Sequence, residues 1–142
     1  MRLLAATLAF LLTASAAHAA QFVMYRSAGC GCCLEWVKHL RAGGHEVTVR
    51  NHPDMRAVKA KANIPATMQG CHTAFVGGYA IEGHVPLADI ERLLKQRPDA
   101  VGLAVPGMPM GSPGMEHGDH VQPYKTYLIK KDGSRSVWAS HG

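Results

Sequence analysis

Apolar and polar positions divide the chain into short, regularly patterned segments. Phe22-Val23-Met24-Tyr25 is a continuous apolar run of strand length and predicts a buried strand. Leu34, Trp36, Val37 and Leu40 then fall at helical spacing between Leu34 and Ala42, and Gly43-Gly44 supplies the stop. His45 to Arg50 alternates as H-E-V-T-V-R, the period of a second strand. Asn51 as N-cap, with Pro53 near the first turn, opens a second helix carried by Met55, Val58 and Ala62. That helix should end before Pro65. Thr73 to Val76 and Tyr79 to Ile81 predict two further strands, joined by the hairpin signal Gly77-Gly78. Pro86 begins a third helix with Leu87, Ile90, Leu93 and Leu94 facing inward, stopped before Pro98.

Beyond this point the composition changes. Val105 to Gly118 is rich in Gly, Pro and Met, which predicts a long loop on the domain surface. Tyr124 to Lys130 and Arg135 to Ala139 flank Lys131-Asp132-Gly133-Ser134, a hairpin turn. Two strands alone bury too little to fold independently, so they are expected as an appended C-terminal β-hairpin. The order is β-α-β-α-β-β-α, with a cysteine cluster where the first strand meets the first helix. It is the order of a thioredoxin-like α/β domain.

The amino end reads differently again. Arg2, the apolar run Leu3 to Ala17 and the small-x-small triplet Ala17-His18-Ala19 fit a secretory leader. The run falls short of the ~20 apolar residues of a membrane span. Residues 1–19 are therefore expected to be a cleaved signal peptide and residues 20–142 a single metal-binding domain. The expected location is the periplasm, with no membrane contact after cleavage. Net charge is +5, and loss of Arg2 with the leader leaves +4. The basic residues Arg41, Arg50, Arg56, Lys59, Lys61, Arg92, Lys95, Arg97, Lys130 and Lys131 are scattered. They form no stripe interleaved with aromatics, so a solvated surface is expected and nucleic acid is not an expected partner.

Three of the four cysteines lie in Cys30-Gly31-Cys32-Cys33, and the fourth, Cys71, follows Cys30 by 41 residues. In an oxidising compartment four cysteines can form two structural disulfides, which would make the protein a stapled binding module. Adjacent Cys32 and Cys33 cannot easily bond to each other, however, and a Cys30–Cys33 bridge would close a small redox-type ring. A helix amino end favours the thiolate, the form that both attacks disulfides and binds metal. A thiol–disulfide oxidoreductase would use Cys30 as nucleophile and Cys33 as resolving thiol, and Cys32 would compete for its mixed disulfide. Packed thiolates instead suit soft ions, which they can bridge. Such sulfurs select Cu(I), zinc or iron–sulfur centres; copper, as several Cu(I) ions, is favoured and zinc is the alternative, although structural zinc sites use separated Cys pairs. Cys71 enters the third strand, which lies beside the first in such a sheet, so a four-sulfur site is expected.

Further donors are weaker. Met108, Met110 and Met115, with His117 and His120 beyond, offer thioether and imidazole; Met also packs adaptably in Pro/Gly loops. His72 adjoins Cys71 and is a ligand or supports one, while His84 can equally cap or pack. His39, His45, His52 and His141 are expected to face solvent, and Trp36 and Trp138 to pack.

Four segments carry a family resemblance. They are Cys30-Gly-Cys-Cys33 with Trp36-Val-Lys-His-Leu40, Cys71-His-Thr-Ala74, Ile81-Glu-Gly-His-Val-Pro86, and Gly102 through Glu116 with its Pro-Gly-Met-Pro-Met-Gly stretch. In these the chain resembles the CopG-type copper-resistance proteins, a family long catalogued as a domain of unknown function. The resemblance implies an exported thioredoxin-like copper protein in which Cys30, Cys32, Cys33 and Cys71 hold a multinuclear Cu(I)–thiolate cluster. It also implies a part in copper tolerance, redox exchange of bound copper, and periplasmic copper-handling proteins as partners. Two departures from true thioredoxins weaken general disulfide exchange. Met24 stands where those enzymes bury a carboxylate, and Ile64-Pro65, which resembles their cis-proline segment, lies six residues before Cys71.

Overall fold

The computed structural model describes residues 19–142. The expected signal peptide therefore lies outside the described residues, apart from Ala19. Chain order is β1 (Gln21–Arg26), α1 (Gly31–Ala42), β2 (Glu46–Asn51), α2 (Met55–Lys61), β3 (Thr73–Val76), β4 (Tyr79–Glu82), α3 (Leu87–Gln96), β5 (Gly102–Ala104), β6 (Tyr124–Ile129) and β7 (Arg135–His141). The expected β-α-β-α-β-β-α order is present. One sheet contains all seven strands in the order β2-β1-β3-β4-β5-β6-β7. β1 runs parallel to β2 and antiparallel to β3, which turns back through Gly77-Gly78 into β4.

Helix α1 forms because Cys33, Trp36, Val37 and Leu40 recur at i, i+3, i+4 and i+7, and all four are buried. This stripe packs on Phe22 and Met24 of β1 and on Ile81, Ile90, Leu93 and Leu103, the larger of two cores. The opposite face of the sheet buries Ala80, Ala104 and Ile129 beneath Ala62, Ile64 and Met68. β4 is buried along its whole length, so its alternating side chains reach both cores. No described residue follows a cis peptide, and Pro65 is accordingly trans.

Several expectations are corrected. Asp54, not Asn51, caps α2: its carboxylate accepts the N–H groups of Arg56 at 3.0 Å and Ala57 at 3.3 Å. Asn51 is instead the last residue of β2, paired with Arg26. β5 has only three residues, too few to show a period, and Gly102 lets it close on β4, where a Cβ would stand 1.7 Å from the Ala80 carbonyl oxygen. Through β5 the C-terminal hairpin joins the sheet edge to edge. Asp89 on α3 also holds it, accepting from the Thr126 hydroxyl at 2.6 Å and lying 2.9 Å from His141 Nε2. His141 is thus anchored, and His45, its side chain only 10% exposed, accepts the Ala20 N–H. His39 does face solvent, whereas His52 is half-buried, its Nδ1 accepting the Asp54 N–H at 3.1 Å. Lys59, read from sequence as a surface cation, is 6% exposed.

The Gly/Pro/Met segment lies against the domain. It pairs with the chain before Cys71 through Gly70 and Gly107, then crosses the first turn of α1. A Cβ on Gly114 would sit 2.6 Å from Trp36 N and 3.0 Å from the Cys32 carbonyl oxygen. Only glycine fits there.

Candidate metal centre

The amino end of α1 and the turn entering β3 meet at one place. Cys30 is the N-cap of α1, and Cys32 and Cys33 lie in its first turn. Cys71 stands two residues before β3, which pairs with β1. The four Sγ atoms lie within 4.8 Å of one another. Cys33 Sγ is 3.1 Å from Cys71 Sγ, and Cys32 Sγ is 3.5 Å from both Cys30 Sγ and Cys71 Sγ. Cys30 and Cys33 are joined as a disulfide, while Cys32 and Cys71 are free. Arg26 Nη1 donates to the Cys30 carbonyl at 2.6 Å, fixing the start of the helix.

A second donor group shares Cys71. Its sulfur and the ring nitrogens of His72 and His84 also lie within 4.8 Å of one another. Both histidines are 0% exposed. His84 Nδ1 is 2.8 Å from the Pro113 carbonyl, which can only accept, so Nδ1 carries the proton and Nε2 bears the lone pair. Nε2 of His84 and both nitrogens of His72 are buried without a hydrogen-bond partner. Buried polar atoms are seldom left so, and a metal ion is one group that would satisfy them.

Electrostatics suit uncharged donors. Burial lowers His72 well below its ordinary 6.5, helped by His84 and Lys59, and burial also lowers His84 against the opposing pull of the Pro113 carbonyl. Both are the neutral imidazoles that metals require. The Cys71 thiol is pushed up to about 12, first by burial and then by its contact with Cys32. A bare thiolate is disfavoured there; an ion that takes the proton's place supplies the missing positive charge.

His117 and His120 are not gathered in these two groups. Met108 is 52% exposed, Met110 and Met115 are half-buried, and His117 and His120 are exposed and bridge each other through their backbones. Trp36 packs as expected, its Nε1 donating to the Val85 carbonyl at 2.9 Å and its ring 4.4 Å from that of His72. Trp138 lies on the rim beneath Arg92.

Sequence patterning missed one polar cluster beside the site. Glu82 is 0% exposed and pairs with Lys59. Its Oε1 also accepts the Gly70 N–H at 2.7 Å, and its Oε2 the Thr73 hydroxyl at 2.6 Å. The signal was available: Met55, Val58, Lys59 and Ala62 fall on one helical face, and Glu82 shares a strand face with Ala80.

Known proteins are similar to this chain. Residues 68–115, which include Cys71, His72, His84 and most of the Gly/Pro/Met segment, match the family described as protein of unknown function DUF411. A solved structure of "Copper resistance protein copG", form 2, is 46% identical; the alignment covers 88% of this chain and 100% of that one, with a TM-score of 0.85. Form 1 is also 46% identical, covering 87% and 98% with a TM-score of 0.83. No curated protein matches the chain.

Proposed function

The chain belongs to the family of the copper resistance protein CopG, and from that premise we propose that it binds several Cu(I) ions as cargo in a cysteine-thiolate cluster and so contributes to copper resistance. The observation that carries this is the convergence of Cys30, Cys32, Cys33 and Cys71 within 4.8 Å. Four soft donors in that space exceed what one ion needs, and thiolate sulfur can bridge. His72 and His84 extend the set on the Cys71 side, since each neutral ring has a buried, unpartnered nitrogen that can carry a lone pair toward an ion. Met110 and Met115, on the strap beside α1, are the thioethers best suited to join them; Met108 is the least so. Zinc would use the same sulfurs but leaves the thioethers without a role.

Copper redox exchange follows from the same residues. Two Cu(II) ions take one electron each from the Cys30 and Cys33 thiols, which close their disulfide and release two protons. A thiol or other reductant reopens the bridge for Cu(I). The site is proposed to work in the periplasm, after cleavage of residues 1–19, exchanging copper with other copper-handling proteins there. Among the described residues no helix is long and apolar enough to cross a membrane.

Anaerobic Cu(I) titration of the reduced protein tests the proposal. Several ions per chain are expected, and fewer in Cys30→Ser, Cys32→Ser, Cys33→Ser and Cys71→Ser. Unchanged stoichiometry in all four variants overturns it. One observation favours an alternative, a thiol–disulfide oxidoreductase: Cys30 and Cys33 are bonded, with Cys30 the more exposed of the two. That activity would survive Cys32→Ser, whereas copper capacity would not.

A further inference from the structure

Behind the segment that carries Cys71 and His72 lies the buried cluster of Glu82, Lys59 and Thr73. We propose that Glu82, held by Lys59, is a positioning residue for the copper centre, fixing Cys71 and His72 through the residues on either side of them. The inference rests on the copper proposal above and deepens it.

Glu82 projects from β4 to the face covered by α2, where Lys59 meets it. One carboxylate oxygen takes the Gly70 N–H and the other the Thr73 hydroxyl. Lys59 Nζ also reaches Thr73 Oγ1, at 3.3 Å. Gly70 and Thr73 are the residues that bracket Cys71-His72, so a single side chain grips both ends of the ligand pair. Other restraints on this segment include backbone bonds, Gly83 N–H to the His72 carbonyl at 2.9 Å and Gly107 N–H to the Gln69 carbonyl at 3.0 Å, and the pairing of Thr73 with Tyr25 and Glu82 in the sheet. Each of these acts at one point of the segment, whereas the Glu82 side chain binds Gly70 and Thr73 together.

Stability alone does not call for this arrangement. Two charges removed from water lose their hydration, and an apolar pair of similar size is often as stable or more so. What an apolar pair cannot do is hold a backbone N–H and a hydroxyl in fixed directions. Groups that orient metal ligands from behind typically change metal affinity by about 10- to 100-fold when removed.

The double variant Lys59→Met/Glu82→Leu removes both charges together, leaving none stranded. Three quantities are compared with the unmodified protein, anaerobically and reduced: the thermal midpoint, the near-ultraviolet thiolate-to-copper absorption, and Cu(I) retention against bicinchoninate. The expected result is a cooperative fold, at least about 10-fold weaker Cu(I) retention, and a displaced absorption band. Lys59→Met/Glu82→Gln, whose amide can still accept from Gly70 and donate to Thr73, should recover most of the affinity. Thr73→Val keeps the ion pair, loses one link, and should weaken retention in the same direction even if the double variant fails to fold. Unmodified retention and absorption in the folded double variant, or in Thr73→Val should that alone fold, overturn the positioning role and leave the copper proposal standing. No Cu(I) uptake by the unmodified protein overturns both.

Discussion

At the scale of single residues, His72 and His84 are the most informative side chains of the site. An imidazole buried beside an indole and a second imidazole is disfavoured as a cation, because burial removes its hydration and the neighbouring ring adds repulsion. Both folded-state values therefore lie below the ordinary 6.5 of the unfolded chain. Below that pH the unfolded state binds more protons than the folded one, so stability rises with pH there. The contribution is complete above about pH 6.5 and is lost as the pH falls beneath it. Metal-free protein should thus show a denaturation midpoint that declines between pH 7 and pH 5. Replacing His72 by Phe should flatten that decline, and denaturant titrations at several pH values will read it. A midpoint equally insensitive to pH in both proteins would mean that the imidazoles titrate normally.

Among elements, the strap from Val105 to Gly118 shows how the site is closed. Ser112 and Gly114 are buried in it, and the His84–Pro113 and His39–Glu116 contacts pin it across the first turn of α1. Gly114 has φ +86°, which costs any other residue strain, and its missing Cβ leaves room for the Trp36 and Cys32 backbones. Gly114→Ala is expected to cost about 1–3 kcal/mol of stability, and to make the free Cys32 thiol react faster with alkylating reagents. Thermal melts and timed alkylation check the two effects together. Composition marks this segment as irregular but says nothing of where it lies, because its anchors are glycines that act by absence. Periodicity does reveal α1, whose 33-36-37-40 stripe is unbroken, and the β3–β4 hairpin, whose Gly77-Gly78 turn is explicit. It fails at β5, which is three residues long, and at the α2 cap, where Asp54 lies closer to the helix than Asn51. For Lys59 and Glu82 it places each charge on an apolar face, but nothing in sequence marks two charges 23 residues apart as partners. The convergence of four cysteines is legible because strand order alone brings Cys71 to α1; the tautomer that frees His84 Nε2 depends on Pro113, 29 residues away.

Over the whole molecule, the cysteines are part of the main core as well as of the site. Cys33 is fully buried against the Trp36 and Leu40 layer, and Cys30, Cys32 and Cys71 pack at its edge. Copper bound there would stabilise the sheet and α1 as one unit, because an ion that binds only the folded chain adds its binding free energy to stability. At 100-fold excess over the dissociation constant that is about 2.7 kcal/mol. The disulfide changes what the ion meets. With Cys30 and Cys33 bonded, the free donors are Cys32, Cys71 and the two imidazoles; with the bridge reduced, all four sulfurs are available. Anaerobic Cu(I) should therefore raise the melting temperature of the reduced protein by several degrees. In protein whose bridge is intact the rise should be much smaller, as it should in reduced Cys71→Ser, which removes the sulfur common to both donor groups. Calorimetry on the three samples, with bridge content checked by thiol counting, separates these outcomes. Equal shifts in the reduced and bridged forms would show that copper is held without Cys30 and Cys33, and would reduce the centre to Cys32, Cys71, His72 and His84.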